Sequence, residues 1–194
     1  MEFQDVVRRR RMVRKFTDEP VSEESLRRIM SNALRGPSAG FSQGQAFLVL
    51  QGDDVRRFHD TVECWTSDSA KAAPVLVIPF AVKDVYLDRY AQEDKGWTDR
   101  SESHWPVPFW YIDTGMAVLL ILQTVVDEGL GAVYYGISDE DFDKLRAEFG
   151  VPATHVPIGA IAIGHGDDIQ ISEGASPNTR KRKEKTETVH YGQW

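Results

Sequence analysis

Residues 109–131 read FWYIDTGMAVLLILQTVVDEGLG, and the architecture of the chain is built around them. Phe109 to Asp127 has the length of a long helix, and Met116 to Leu122 is apolar on every side. A helix apolar nearly all round belongs at the centre of a fold or between subunits. Gly129-Leu130-Gly131 closes it, as glycine does just past a helix C-terminus.

Downstream, Ala132 to Tyr135 reads as a short strand or turn. Ser138, followed by Asp139 and Glu140, caps a helix carrying Phe142, Leu145 and Phe149, and Gly150 and Pro152 end it. Val156 to Ile163 reads as one strand. Upstream, residues 83–108 are rich in charge and aromatics (Tyr86, Tyr90, Trp97, His104, Trp105) and only weakly periodic. They form either a functional lid or a packed aromatic cluster. Val75 to Val82 is a continuous apolar strand in which Pro79 implies a bulge or an edge position. Val55, Phe58, Val62 and Trp65 mark a helix, and Ala46 to Leu50 a buried strand. Ser22 caps a helix with the stripe Leu26, Ile29, Met30, Ala33 and Leu34, ended by Gly36-Pro37. Helices and strands do not alternate regularly, so α+β is expected and not a doubly wound parallel sheet.

The chain has 194 residues, one domain's worth at roughly 150 residues per domain. The expected division is a domain over residues 1–170, with 83–108 as its lid insert, and an arm over 171–194 that docks on a partner. Lys and Arg number 23 against 30 Asp and Glu, a net charge of -7, which argues against general nucleic-acid binding. A basic nucleic-acid module would rest on Arg8 to Arg11 alone. Cys64 is the single cysteine, so no intrachain disulfide forms, as suits a reducing compartment. No apolar signal core opens the chain, and Met116 to Leu122 is far short of the ~20 residues a membrane span needs. Cytoplasm is the expected location.

Phe3, Val6 and Val7 share a helical stripe whose continuation is Arg10 and Arg14. Two arginines on a face that should be buried need an anion. Arg8 and Arg9 read as a solvated helix end, and a second basic cluster spans Arg180 to Lys183. The loop Gly36-Pro37-Ser38-Ala39-Gly40-Phe41-Ser42-Gln43-Gly44 joins a helix to a strand. Its small residues permit close backbone approach to a planar ligand, and Ser38 and Gln43 offer hydrogen bonds. The alternative is an ordinary connection. Gly164-His165-Gly166 reads as a turn, the five histidines lack zinc spacing, and Cys64 reads as a small buried apolar residue. No nucleophile–base pair is evident, so an enzyme here would borrow its chemistry from a cofactor.

Taken together these pieces resemble the nitroreductase family of FMN-dependent oxidoreductases. Arg10-Arg11-Met12-Val13-Arg14-Lys15-Phe16 is similar to that family's Arg-Arg-Ser-x-Arg-x-Phe opening, and Pro37-Ser38-Ala39-Gly40-Phe41-Ser42-Gln43 to its Pro-Ser-x-x-Asn-x-Gln loop. Residues 115–131 resemble its central helix, and Arg182 with His190 to Trp194 its C-terminal arm. The resemblance implies a three-layer fold, a mixed, mostly antiparallel sheet flanked by helices, in an intertwined homodimer with flavin between subunits. It places Arg10, Arg14 and Arg182 on the FMN phosphate and ribityl chain, with Arg11, Met12 and Arg180 beside them. Pro37, Ser38, Ala39, Gly40 and Gln43 meet the ring, and the backbone of Tyr135 and Gly136 faces its redox edge. The implied chemistry is ping-pong transfer of hydride from NAD(P)H to a planar acceptor, a nitroaromatic or a quinone. Met12 stands for the family's Ser, Phe41 for its Asn, and Gly44-Gln45 for its Pro-Trp. The Gln43-Gly44 step is similar to an actinobacterial branch linked to a deazaflavin coenzyme. The competing reading is a non-catalytic flavin- or deazaflavin-binding protein for storage or sensing.

Overall fold

The computed structural model describes residues 1–167 and 180–194. The expected boundary between domain and arm, at residues 170 and 171, lies outside the described residues.

Strand β2 (Val75–Ala81) is buried along its whole length and organises the sheet. Its side chains alternate. Leu76, Ile78 and Phe80 enter one apolar core, while Val75 and Val77 enter the other. β1 (Gln45–Gln51) pairs with it antiparallel along its whole length. On the other side β2 meets β5 (Ala160–Gly164) and then the short β4 (Val156–Pro157). β3 (Gly131–Tyr135) closes the order β1-β2-β5-β3, all antiparallel.

Pro79 is therefore not at an edge but opposite a bulge: between the pairs Phe80–Pro157 and Val77–Ile161, the two residues Ile78 and Pro79 face three, 158–160. Its carbonyl accepts Ile158 N–H at 3.0 Å, and a strand residue's N–H and C=O point to the same side. The missing N–H thus faces the gap between β5, whose pairing ends at Val77, and β4, which begins opposite Phe80. For the same reason the single strand expected over residues 156–163 is two, separated by Ile158-Gly159.

α2 (Glu23–Ala33) and α6 (Phe109–Asp127) cover one face of the sheet with Ile29, Ala33, Val118, Ile121, Leu122 and Val125. Helices α3 (Asp53–Thr61) and α7 (Phe142–Phe149) cover the other, through Val55, Phe58 and Leu145. Ser22 caps α2 by accepting Ser25 N–H at 3.1 Å, and α6 has the expected limits, with Leu130 N–H reaching back to Val125 O. By length and composition α6 could cross a membrane, a reading the uninterrupted apolar run understated. Half of its most apolar window is buried, and it packs on α2 and the sheet as a core helix.

Three stripes stop short of their expected length. α1 (Phe3–Arg9) ends before Arg10, whose backbone is extended (ψ 117°), and only Val6 of its apolar residues is buried. Leu34 lies past the end of α2 and is exposed. α3 stops at Thr61 and the short α4 (Asp68–Lys71) begins only at Asp68, so Trp65 is on neither and Cys64 lies in an extended bridge to Ile137. There Asp141, a buried carboxylate, takes Glu63 N–H at 2.7 Å, and Glu63 O accepts Ser138 N–H, so the chain pairs outward where a helix would have continued.

Residues 83–108 are more ordered than their weak periodicity implies. They hold α5 (Lys83–Tyr90) and a web of rings: Tyr90 lies 4.5 Å from Trp105 and 4.8 Å from Trp97, and His104 stacks on Trp97.

Candidate functional site

The expected site residues fall in two groups. The first lies beside β3. Residues 10–16 run extended, and Val13 N–H donates to Ala132 O at 2.9 Å. Alternation along an extended chain puts Arg10, Met12 and Arg14 on one side, half-buried, and Arg11 and Val13 on the other. The arginines thus share a side through a period of two, not through the helical stripe that first paired them. Arg11, with Arg9, lines a separate small cleft near Leu130 and Gly131.

Segment 64–69, absent from the sequence-based set, links this group to the exit of β3. Ser69 Oγ donates to Arg14 O at 2.8 Å. Trp65 N–H donates to Gly136 O at 3.0 Å, and its indole lies over Gly136 so closely that a Cβ there would come within 2.4 Å of Cε3. Only glycine fits. Tyr135 is buried, its hydroxyl has no hydrogen-bond partner among the described residues, and burial pushes its phenol well above the usual range. Cys64 is half-buried there, and burial pushes its thiol up to about 12, so it is no thiolate nucleophile near neutral pH.

The second group, Pro37 to Gln43, precedes β1 at the opposite edge of the sheet. Ala39 to Phe41 form a turn of 3₁₀ helix. Phe41 and Gln43 both adopt left-handed backbone (φ 54° and 55°), costly for residues with a side chain. The loop is held by its surroundings. Gln43 N–H donates to Ser38 Oγ at 2.9 Å, Arg89 Nε to Gly40 O at 3.0 Å, and Ala39 N–H to Asp113 Oδ2 at 2.8 Å. Asp113 is buried on α6 and also accepts the Tyr86 hydroxyl at 2.9 Å. Asp113, Tyr86 and Arg89 were missed because each acts through another residue; the only sequence signal was an acid inside an apolar helix. Asp113→Ala would leave two donors buried without an acceptor. It should cost about 3 kcal/mol, read as a lowered denaturant midpoint, with Asp113→Asn costing less.

The two groups are not brought together within one chain. Three strand spacings separate β1 from β3, about 14 Å before any side chain is added. Residues 180–194, with Arg180 and Arg182, are exposed throughout, and His190 stacks on Trp194.

Layered helices on an antiparallel sheet, with arginines at one edge and a small-residue loop at the other, define a nitroreductase-type fold. The nitroreductase family model matches residues 7–165, and the chain belongs to that family of oxidoreductases. A Methanothermobacter thermautotrophicus protein provisionally named NADH dehydrogenase/NAD(P)H nitroreductase is 26% identical over 167 residues, 85% of this chain and 78% of that one. A nitroreductase family protein of Clostridium difficile 630 superposes with a TM-score of 0.74 at 21% identity, covering all of both chains. The nitroreductase CinD of Lactococcus lactis, solved with nicotinic acid, gives 0.72 at 16% identity over 94% of this chain and all of that one.

Proposed function

We propose that this protein is a homodimeric, FMN-dependent oxidoreductase that passes hydride from NAD(P)H to a planar acceptor such as a nitroaromatic or a quinone. The observation that carries the reading is the row Arg10, Met12, Arg14, half-buried beside β3 and joined through residues 64–69 to Gly136. The donor set fits the cofactor. Paired guanidinium forks match a phosphate monoester, and Arg180 and Arg182 on the arm could complete the grip from either chain. Bound there, FMN would supply the hydride chemistry for which the chain has no evident nucleophile–base pair. Donor and acceptor would use the same place in turn, the order called ping-pong. Main-chain donors near Tyr135 and Gly136 would steady negative charge on the ring.

The edge-to-edge separation favours a site shared between two copies, the loop of one chain meeting the arginines of the other. Ile112, Met116 and Leu119, at helical spacing along α6, are all exposed, as are Phe3, Val7 and Leu34. Such an apolar surface is what a second copy would cover. The arm over residues 171–194 would dock across the pair, in the cytoplasm.

Purified protein loaded with FMN and mixed anaerobically with NADPH, then NADH, tests the reading. Bleaching of the visible bands and their return on adding menadione is the expected result. A flavin that binds and never bleaches makes this a carrier or sensor instead, and the mass of any released coenzyme separates FMN from a deazaflavin.

A further inference from the structure

We propose that Trp65 is a specificity-determining residue, an aromatic shelf on which the planar acceptor stacks beside the redox edge of the flavin; this rests on the function proposed above. Trp65 is 69% exposed, an unusual setting for the largest apolar side chain. Yet its backbone is fixed. Trp65 N–H donates to Gly136 O, Ser138 N–H donates to Glu63 O at 3.1 Å, Cys64 bridges Ile137, and Asp141 takes Glu63 N–H. One edge of the indole rests on Gly136, where no Cβ is present to lift it. The ring thus lies against Gly136 along one edge and is open to solvent elsewhere.

A ring carried on a held backbone, with two side-chain torsions, has little conformational freedom left for binding to cost it. Its position is also chemically specific. Gly136 is where the redox edge is expected, and Ser69, four residues on, is bonded to the carbonyl of Arg14. The shelf and the arginine row are therefore joined by one short segment, residues 64–69. A flat quinone or nitroaromatic can lie on the open indole, whereas a small non-planar acceptor gains nothing from it.

The test uses the FMN-loaded protein with two probes: nicotinic acid, a planar ring titrated through its perturbation of the flavin spectrum, and menadione as acceptor. Trp65→Ala should raise both the nicotinic acid Kd and the menadione KM about tenfold, an offset stack's worth, while keeping wild-type FMN content. Trp65→Phe, which keeps a ring, should recover most of the loss. Unchanged constants in Trp65→Ala, a phenylalanine variant as weak as the alanine one, or loss of FMN from Trp65→Ala would each overturn the proposal. A wild-type protein that takes up no FMN at all would instead overturn the functional reading beneath it.

Discussion

Changing Arg10 and Arg14 together to alanine should empty the protein of flavin. Each guanidinium is expected to make a charge-assisted contact to the phosphate, worth about 1.5–3 kcal/mol. Losing both therefore weakens binding by roughly two to four orders of magnitude. The variant should purify colourless, and quenching of FMN fluorescence on titration should need far more protein than in wild type. Arg10→Lys should fall between, because lysine keeps the charge and loses the fork. Fold loss is not the explanation, since the residues are only half-buried at the edge of the sheet and Val13 supplies the packing there. A doubly substituted protein that stays yellow with an unchanged Kd would place the phosphate elsewhere.

Gly44→Ala should be the most destabilising small change in the loop region. A Cβ at Gly44 would sit 2.3 Å from Tyr86 Cε2 and 2.9 Å from the carbonyl of Val82. Tyr86 cannot retreat. It is fully buried, bonded to Asp113, and has the Trp105 and Trp110 rings 6.0 and 6.3 Å away. The Val82 carbonyl cannot retreat either, being backbone at the end of β2, where Val82 N–H already donates to Gly44 O at 2.8 Å. Overpacking of this kind costs about 3 kcal/mol, and for a chain of this length that lowers Tm by roughly 6–12 °C. Combining it with Tyr86→Ala should cost less than the sum of the two single substitutions, because they share one space. A Tm within 2 °C of wild type would show that the wedge is not there. The same contact explains the departure of Gly44 from the family's proline: Tyr86 fills the volume a ring at position 44 would need.

Much of this was legible in order of residues. The limits of α6, the cap at Ser22, β1 and the strand through Pro79 follow from apolar periodicity and from glycine and proline at helix ends. The arginines and the small-residue loop were likewise visible as residue types, whereas the Tyr135-Gly136 step was reached only through the family resemblance. Less visible was whatever depended on a distant partner. Trp65 looked like the fourth residue of a helical stripe because nothing local says that Asp141, far along the chain, will take the N–H of Glu63. Pro79 allowed either an edge or a bulge, and one strand cannot reveal which, because the extra residue lies on its neighbour. Residues 83–108 looked loose because rings packed at irregular spacing leave no period.

The chain's own order of residues determined which elements form, since helix and strand preferences act over a few neighbours, and it determined which side chains could hold a phosphate. Only the tertiary structure decided that the arginines lie along one side of an extended edge and the loop at the other edge. It alone decided that an indole lies on Gly136. Those outcomes depend on hydrogen bonds and contacts between residues tens of positions apart, whose closure no local pattern encodes.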